Sequence, residues 1–283
     1  MALLEVNNLC KRYKSFELRD ISFEIPAGYI MGYIGRNGAG KTTTLNAITH
    51  LIRADGGSVI LDGISFEKDP IRFRDSIGYI GDSSYFPGRL ALKDIRKILR
   101  QFYPSFDGDA FDALVQKWEL PEKTKIDTYS RGMKVKLMFA AALSRKTKLL
   151  ILDEATNGLD PVMRREILKL LQEYIADGQK SVLFSTHIME DLQDIADYIF
   201  FIDRGAMVFC QPKDDLLESY LLVKGGPEDL TPELRRGLIG VEKHDYGFRG
   251  LFSTESGYAL PASLAVERPT IDQIIVHILE GRE

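Results

Sequence analysis

Gly35-Arg36-Asn37-Gly38-Ala39-Gly40-Lys41-Thr42 sets three glycines, a lysine and a hydroxyl within eight residues. Backbone of this kind turns successive N–H groups toward one point, which suits a phosphate chain; this is the P-loop pattern. In that pattern Gly35, Asn37, Gly38, Ala39 and Gly40 form the cradle. Lys41 pairs with the β- and γ-phosphates, Thr42 ligates Mg²⁺, and Thr43 lies near the α-phosphate. Further along, Leu149-Leu150-Ile151-Leu152 ends in Asp153-Glu154. A buried strand would deliver both carboxylates to the carboxyl edge of a sheet, where Asp153 can hold Mg²⁺ through water and Glu154 can polarise an attacking water. His187 closes another apolar run, and an imidazole at that edge can contact the γ-phosphate and hold the water. His50, His244 and His277 have no such placement and are read as surface or packing residues.

These groups meet only if strands and helices bring them to one edge. Tyr29-Ile30-Met31-Gly32-Tyr33-Ile34 reads as a strand covered on both faces, leading straight into the glycine-rich turn and a helix over about 41–51. Phe16, Leu18, Ile21, Phe23 and Ile25 favour antiparallel strands near the N-terminus, and a short strand follows at 56–63. Leu92, Ile95, Ile98, Leu99 and Phe102 recur at helical spacing, as do Phe111, Leu114, Val115 and Trp118. The stretch 85–147 is therefore expected to be a helical insertion with Trp118 in its core. Ser83-Ser84-Tyr85-Phe86-Pro87-Gly88, where the chain enters the insertion, reads as an exposed loop with aromatic anchors. Strands at 149–152, 181–185 and 198–202 alternate with helices at 161–177 and 188–196, which implies a parallel sheet. Gly225-Gly226-Pro227, strand-like pieces near Val241 and Phe248, and a last helix over 271–279 set apart a small α+β domain. The expected division is 1–218 and 219–283.

The 283 residues carry 37 Lys plus Arg against 41 Asp plus Glu, a net charge of −4, with 45% hydrophobic residues. A chain of this size buries about three quarters of its unfolded surface, so it needs no disulfide or metal to fold. The global charge gives no field for a polyanion such as duplex DNA. Cys10 and Cys210 fit neither a disulfide framework nor zinc spacing, which points to a reducing, cytosolic setting. No apolar run reaches the ~18 residues of a spanning helix, and Met1-Ala2-Leu3-Leu4-Glu5 lacks the features of a signal peptide. A membrane, if one is involved, is expected to be crossed by another chain.

Tyr129-Ser130-Arg131-Gly132-Met133 precedes an amphipathic helix, and taken alone it is a helix start with Ser130 or Thr128 as N-cap. Its order relative to Tyr13, the P-loop, Ile77-Gly78-Tyr79-Ile80, Asp153-Glu154, the Asp160 loop and His187 resembles the nucleotide-binding subunit of ATP-binding cassette (ABC) transporters, over roughly residues 3–215. The pattern is most similar to stand-alone ATPases of bacterial ABC-2-type exporters of bacitracin-like or amphipathic peptides. The resemblance implies an α/β P-loop NTPase with a mixed sheet core, an N-terminal antiparallel β subdomain and a helical insertion, here followed by the C-terminal α+β extension.

It also implies that Tyr13 stacks on adenine, that Glu154 is the catalytic base with Lys41 and His187 beside it, and that Thr42, Asp82 and Asp153 serve Mg²⁺. Ser130 and Gly132 would contact the γ-phosphate held by a second copy, with Asp160 communicating across a head-to-tail homodimer around two ATP molecules. A separately encoded transmembrane permease would be the partner, with this chain on the cytoplasmic face of the membrane. Four positions depart from the family pattern: Asp82 replaces a usual Gln, Arg131 and Met133 replace Gly and Gln, and Ala155 replaces Pro. The basic cluster Arg131, Lys134, Lys136, Arg145, Lys146 and Lys148 is read as a solvated face beside the ATP interface. The alternative is a soluble ABC ATPase acting on nucleic acid or ribosomes. Only 89 residues separate Lys41 from Ser130, with no heptad run, and the chain has one P-loop; both features favour transport.

Overall fold

Leu4 and Val6 on β1 (Ala2–Arg12) and Ile21, Phe23 and Ile25 on β2 (Glu17–Pro26) are buried, and the two strands pair antiparallel with Val6 opposite Phe23. In the computed structural model, which describes residues 2–282, the chain forms two units divided between Cys210 and Gln211.

In the first unit, β3 (Ile30–Gly35) is buried at every position, as its unbroken apolar run requires. It leads through the P-loop into α1 (Lys41–Ile48). Then come β4 (Gly56–Leu61), β5 (Ile64–Ser65), α2 (Pro70–Asp75) and β6 (Ile77–Gly81). The insertion holds α3 (Leu92–Phe102), α4 (Gly108–Lys117) and α5 (Arg131–Leu143). The chain returns through β7 (Leu149–Asp153), α6 (Pro161–Ile175), β8 (Ser181–Ser185), α7 (Met189–Ile195), β9 (Tyr198–Asp203) and β10 (Ala206–Pro212). The sheet order is β5-β4-β1-β2-β10-β9-β3-β8-β7-β6.

The strands β9, β3, β8, β7 and β6 run parallel, with Tyr33 level with Ser185, Ser185 with Asp153, and Asp153 with Gly81. Five chain segments therefore leave the sheet at one edge, where open α/β folds bind ligands. Trp118 is buried as expected, but the α3 stripe stops short: Phe102, the last residue before Tyr103-Pro104 leads the chain away, is 67% exposed. Among the described residues no helix is long and apolar enough to cross a membrane.

The second unit holds α8 (Lys213–Glu218), β11 (Tyr220–Gly225), α9 (Pro232–Gly237), β12 (Leu238–His244), β13 (Gly247–Ser253), β14 (Ala265–Glu267) and α10 (Ile271–Glu280). Its antiparallel sheet has the order β12-β13-β11-β14 around Val223, Leu238, Phe248 and Phe252. The division falls earlier than the expected 218, because α8 packs with β11 rather than ending the first unit.

Candidate active site

The turn from β3 into α1 is built on glycine. Gly40 caps α1 in the left-handed region, with φ at 113°, and no side chain caps the first turn. That leaves the positive end of the helix and its unpaired N–H groups for an anion. A Cβ on Gly40 would come within 2.8 Å of Phe16 and 3.1 Å of Leu18, whereas a Cβ on Gly38 (φ 79°) would meet nothing within 4 Å. Gly38 thus faces open space, a cleft of about 600 Å³ lined also by Asn37, Lys41, Thr42, Thr43 and Glu154. Lys41 is 5% exposed, and its Nζ donates to the Gly35 carbonyl at 2.7 Å. Burial lowers its pKa, while Glu154 and Asp153 pull it back up.

Asp153 ends β7 and is buried. Burial pushes its carboxyl pKa up, opposed by the hydroxyls of Thr42 and Tyr79, the latter donating to Oδ2 at 3.3 Å. Its Oδ1 has no hydrogen-bond partner among the described residues, and neither does Oγ of its register neighbour Ser185. An orphaned carboxylate oxygen beside a threonine hydroxyl is a donor set for a hard divalent cation, so Thr42 and Asp153 fit Mg²⁺.

Glu154 has φ 55°, a left-handed conformation that costs a non-glycine residue on the order of 1 kcal/mol. Two backbone bonds hold it there: its N–H donates to Ser185 at 3.0 Å, and its carbonyl accepts from Asn157 at 3.2 Å. The turn aims the carboxylate at three groups. Oε1 lies 2.5 Å from His187 Nε2 and 3.7 Å from Lys41 Nζ, and Oε2 accepts from Asn157 Nδ2 at 3.1 Å. An acceptor so placed between an ammonium and an imidazole can bind a water and take its proton.

Other expected site residues lie elsewhere. Ser130 is the N-cap of α5, with Oγ accepting from Met133 N–H at 3.2 Å. Gly132 packs against Met163, where a Cβ would meet Sδ at 3.0 Å. Asp160 caps α6, accepting from Val162 and Met163 N–H at 3.0 Å each. None of these three lines the P-loop cleft. The Asp82 carboxylate is paired with Arg131, and both line, with Phe86, a cleft other than the P-loop cleft. Phe86 is itself buried, so of the two loop aromatics only Tyr85 is exposed.

Tyr13 is half-exposed beside Lys11, and its N–H donates to Phe16 across a tight turn, which leaves Ser15 and Phe16 as the residues lining the cleft. The basic cluster is not wholly solvated either. Arg145 is buried over Tyr103, with its guanidinium bonded to the Ala141 and Ile77 carbonyls. Phe16, Asn157, Tyr79 and Ser185 are site residues to which the sequence motifs assign no role, although Tyr79 lies within Ile77-Gly78-Tyr79-Ile80. Phe16 could have been found as the aromatic three residues past Tyr13, and Asn157 from the loop following Glu154.

The description "ABC transporter" fits the family model that matches residues 18–157. The ABC transporter ATP-binding protein YtrB of Bacillus subtilis (strain 168) is 32% identical over 223 residues, 78% of this chain and 76% of that protein. The bacitracin transport ATP-binding protein BcrA of Bacillus licheniformis is 30% identical over 217 residues, 76% of this chain and 71% of that protein. A solved ATP-binding subunit of an ABC transporter superposes with a TM-score of 0.69 at 27% identity, covering 76% of this chain and 91% of that one. With the P-loop, the Asp153-Glu154 pair and His187 gathered at one sheet edge, these likenesses establish that the chain belongs to the ATP-binding proteins of ABC transporters and is an ATPase of that family.

Proposed function

We propose that this chain is the ATP-hydrolysing motor of an exporter whose membrane-spanning permease is a separate protein, with peptides or antimicrobials as cargo. The cargo class rests on relatives such as the bacitracin transport protein. The observation that carries the hydrolytic reading is the Glu154 carboxylate, poised 2.5 Å from His187 and 3.7 Å from Lys41. In this reading Glu154 takes the proton of the attacking water, His187 holds that water and the γ-phosphate, and the P-loop N–H groups with Lys41 bear the phosphate charge. Thr42 and Asp153 would hold Mg²⁺, which when bound offsets negative charge on the phosphates. Tyr13, at the turn that Phe16 closes, supplies the platform for adenine.

Two copies would close head-to-tail on two ATP molecules, each lending Ser130 and Gly132 to the other's γ-phosphate, with Asp160 at the junction. The site would then open and close on the cytoplasmic face of the membrane, and the second unit would act as an accessory domain. The decisive experiment is Glu154→Gln: steady-state turnover should nearly vanish while ATP binding persists, because the amide accepts a hydrogen bond but is not basic. Turnover that survived this change would remove Glu154 from the role.

A further inference from the structure

Asp191, in the first turn of α7, is 2% exposed, more deeply buried than Asp153 at 7%. Its Oδ1 lies 3.2 Å from Arg164 Nε on α6, and its Oδ2 lies 3.3 Å from the Thr156 hydroxyl. Burial pushes its carboxyl pKa up, opposed only in part by Arg164 and the Thr156 hydroxyl. Thr156 Oγ1 is in turn 3.4 Å from Thr186 Oγ1, which accepts the Ile188 N–H at 3.1 Å. The direction of this chain follows from its end. Thr156 Oγ1 donates its one proton to Asp191 Oδ2, so the Thr156 oxygen is left to accept from Thr186. Thr186 and Ile188 flank His187, and Thr156 lies two residues beyond Glu154. One buried acid thereby ties the two turns that carry the reacting side chains.

Those turns need an external tie. Glu154 sits at φ 55°, and a strained residue persists only where its surroundings over-determine it. We propose that Asp191 is a positioning residue which, through Thr156 and Thr186, holds the Glu154 carboxylate and the His187 imidazole in their 2.5 Å contact. This rests on the reading that Glu154 and His187 serve hydrolysis.

The test uses the purified full chain. Thr156→Val and Thr186→Val each remove one hydroxyl and keep side-chain shape, and Asp191→Asn removes the charge. Each should lower kcat about tenfold or more, the scale set by small misplacements of reacting groups, with KM for ATP within about twofold. Because both threonines act through one chain of bonds, the double valine variant should be no worse than the worse single one. Thr156→Ser should restore the rate. If Asp191→Asn does not fold, the valine variants decide. Unchanged kcat in both, or a fall in ATP affinity matching the fall in kcat that serine does not rescue, overturns the proposal. Glu154→Gln run alongside separates the two levels. If it abolishes turnover while the valine variants do not slow, only the positioning role fails; if it stays active, the hydrolytic reading fails as well.

Discussion

Asp82 and Arg131 form an ion pair with each other, although 49 residues separate them. Asp82 stands one residue past β6, and Arg131 is the first residue of α5. These are two of the four positions where the chain departs from the pattern of its family: an acid for an amide, and a cation for a glycine. In the fold the departures complement one another, linking the end of a sheet strand to the first turn of an insertion helix. Both side chains are exposed, so the pair contributes at most about 1 kcal/mol and serves to orient α5 more than to stabilise it.

Since Asp82 is committed to Arg131, Asp82→Ala should change the Mg²⁺ concentration for half-maximal ATPase activity by less than about twofold. Asp153→Asn, which removes the charge of the orphaned carboxylate, should raise it about tenfold or more. Titrating Mg²⁺ against turnover in both variants checks this. A requirement that rises as steeply in Asp82→Ala as in Asp153→Asn would return Asp82 to the metal.

The glycines of the P-loop should separate by what a methyl group meets. Gly40→Ala would drive a Cβ against Phe16 and Leu18 in a left-handed conformation, so urea unfolding should show a loss of about 2–3 kcal/mol. Gly38→Ala adds a Cβ into open cleft and should cost only about 1 kcal/mol of backbone strain, yet ATP affinity should fall sharply if that space takes the phosphates, as proposed. Equal stability losses in the two variants would contradict this division.

What was legible in the sequence follows the range over which each signal acts. The P-loop, the Asp153-Glu154 pair and the strands beneath them are local patterns, and their meeting at one edge follows from parallel β-α-β topology. The partner of Asp82 was not legible, because a charged residue carries no mark of which of the 37 lysines and arginines it will meet. Nor was the bond chain from Asp191 to Thr186: threonines near a strand end look like ordinary β-formers until tertiary packing sets their hydroxyls face to face. Phe86 and Arg145 were misjudged for a related reason. Sequence polarity reports average exposure, whereas Phe86 is buried with its ring 4.5 Å from that of Tyr85 and Arg145 is drawn inward by the carbonyls of Ala141 and Ile77.

Tyr13 and Phe16 close one tight turn, but only Phe16 lines the P-loop cleft while Tyr13 keeps its ring half-exposed. An exposed ring at the cleft margin is available to a base, whereas a ring lodged against Gly40 supports the loop. Tyr13→Ala should therefore weaken ATP binding by about 1–3 kcal/mol and Tyr13→Trp should preserve it, the magnitude being that of base–aromatic stacking. Fluorescent-nucleotide titration measures both. Unaltered affinity in Tyr13→Ala, with a loss in Phe16→Leu at constant stability, would assign the base to Phe16.

The last prediction concerns whether each site is built from two chains. Within one chain Ser130 caps α5, and it does not line the cleft formed by the P-loop and Glu154. A helix N-terminus stabilises phosphate only across about its first turn, so Ser130 and Gly132 contribute only if another copy brings α5 against the γ-phosphate. Lys41→Ala removes the ammonium from the P-loop side, and Ser130→Arg obstructs the α5 side. Each variant alone should form homodimers without an intact site. In a shared-site heterodimer of the two, one site carries both defects and the other carries neither. If instead each site lies within one chain, every site in the mixture stays defective. Occlusion of Mg-ATP is the better measure, because coupled turnover can require both sites even when one binds normally. Mixing should restore occlusion in up to one site per heterodimer, and its absence, once heterodimers are demonstrated by differential tagging, would refute the shared site.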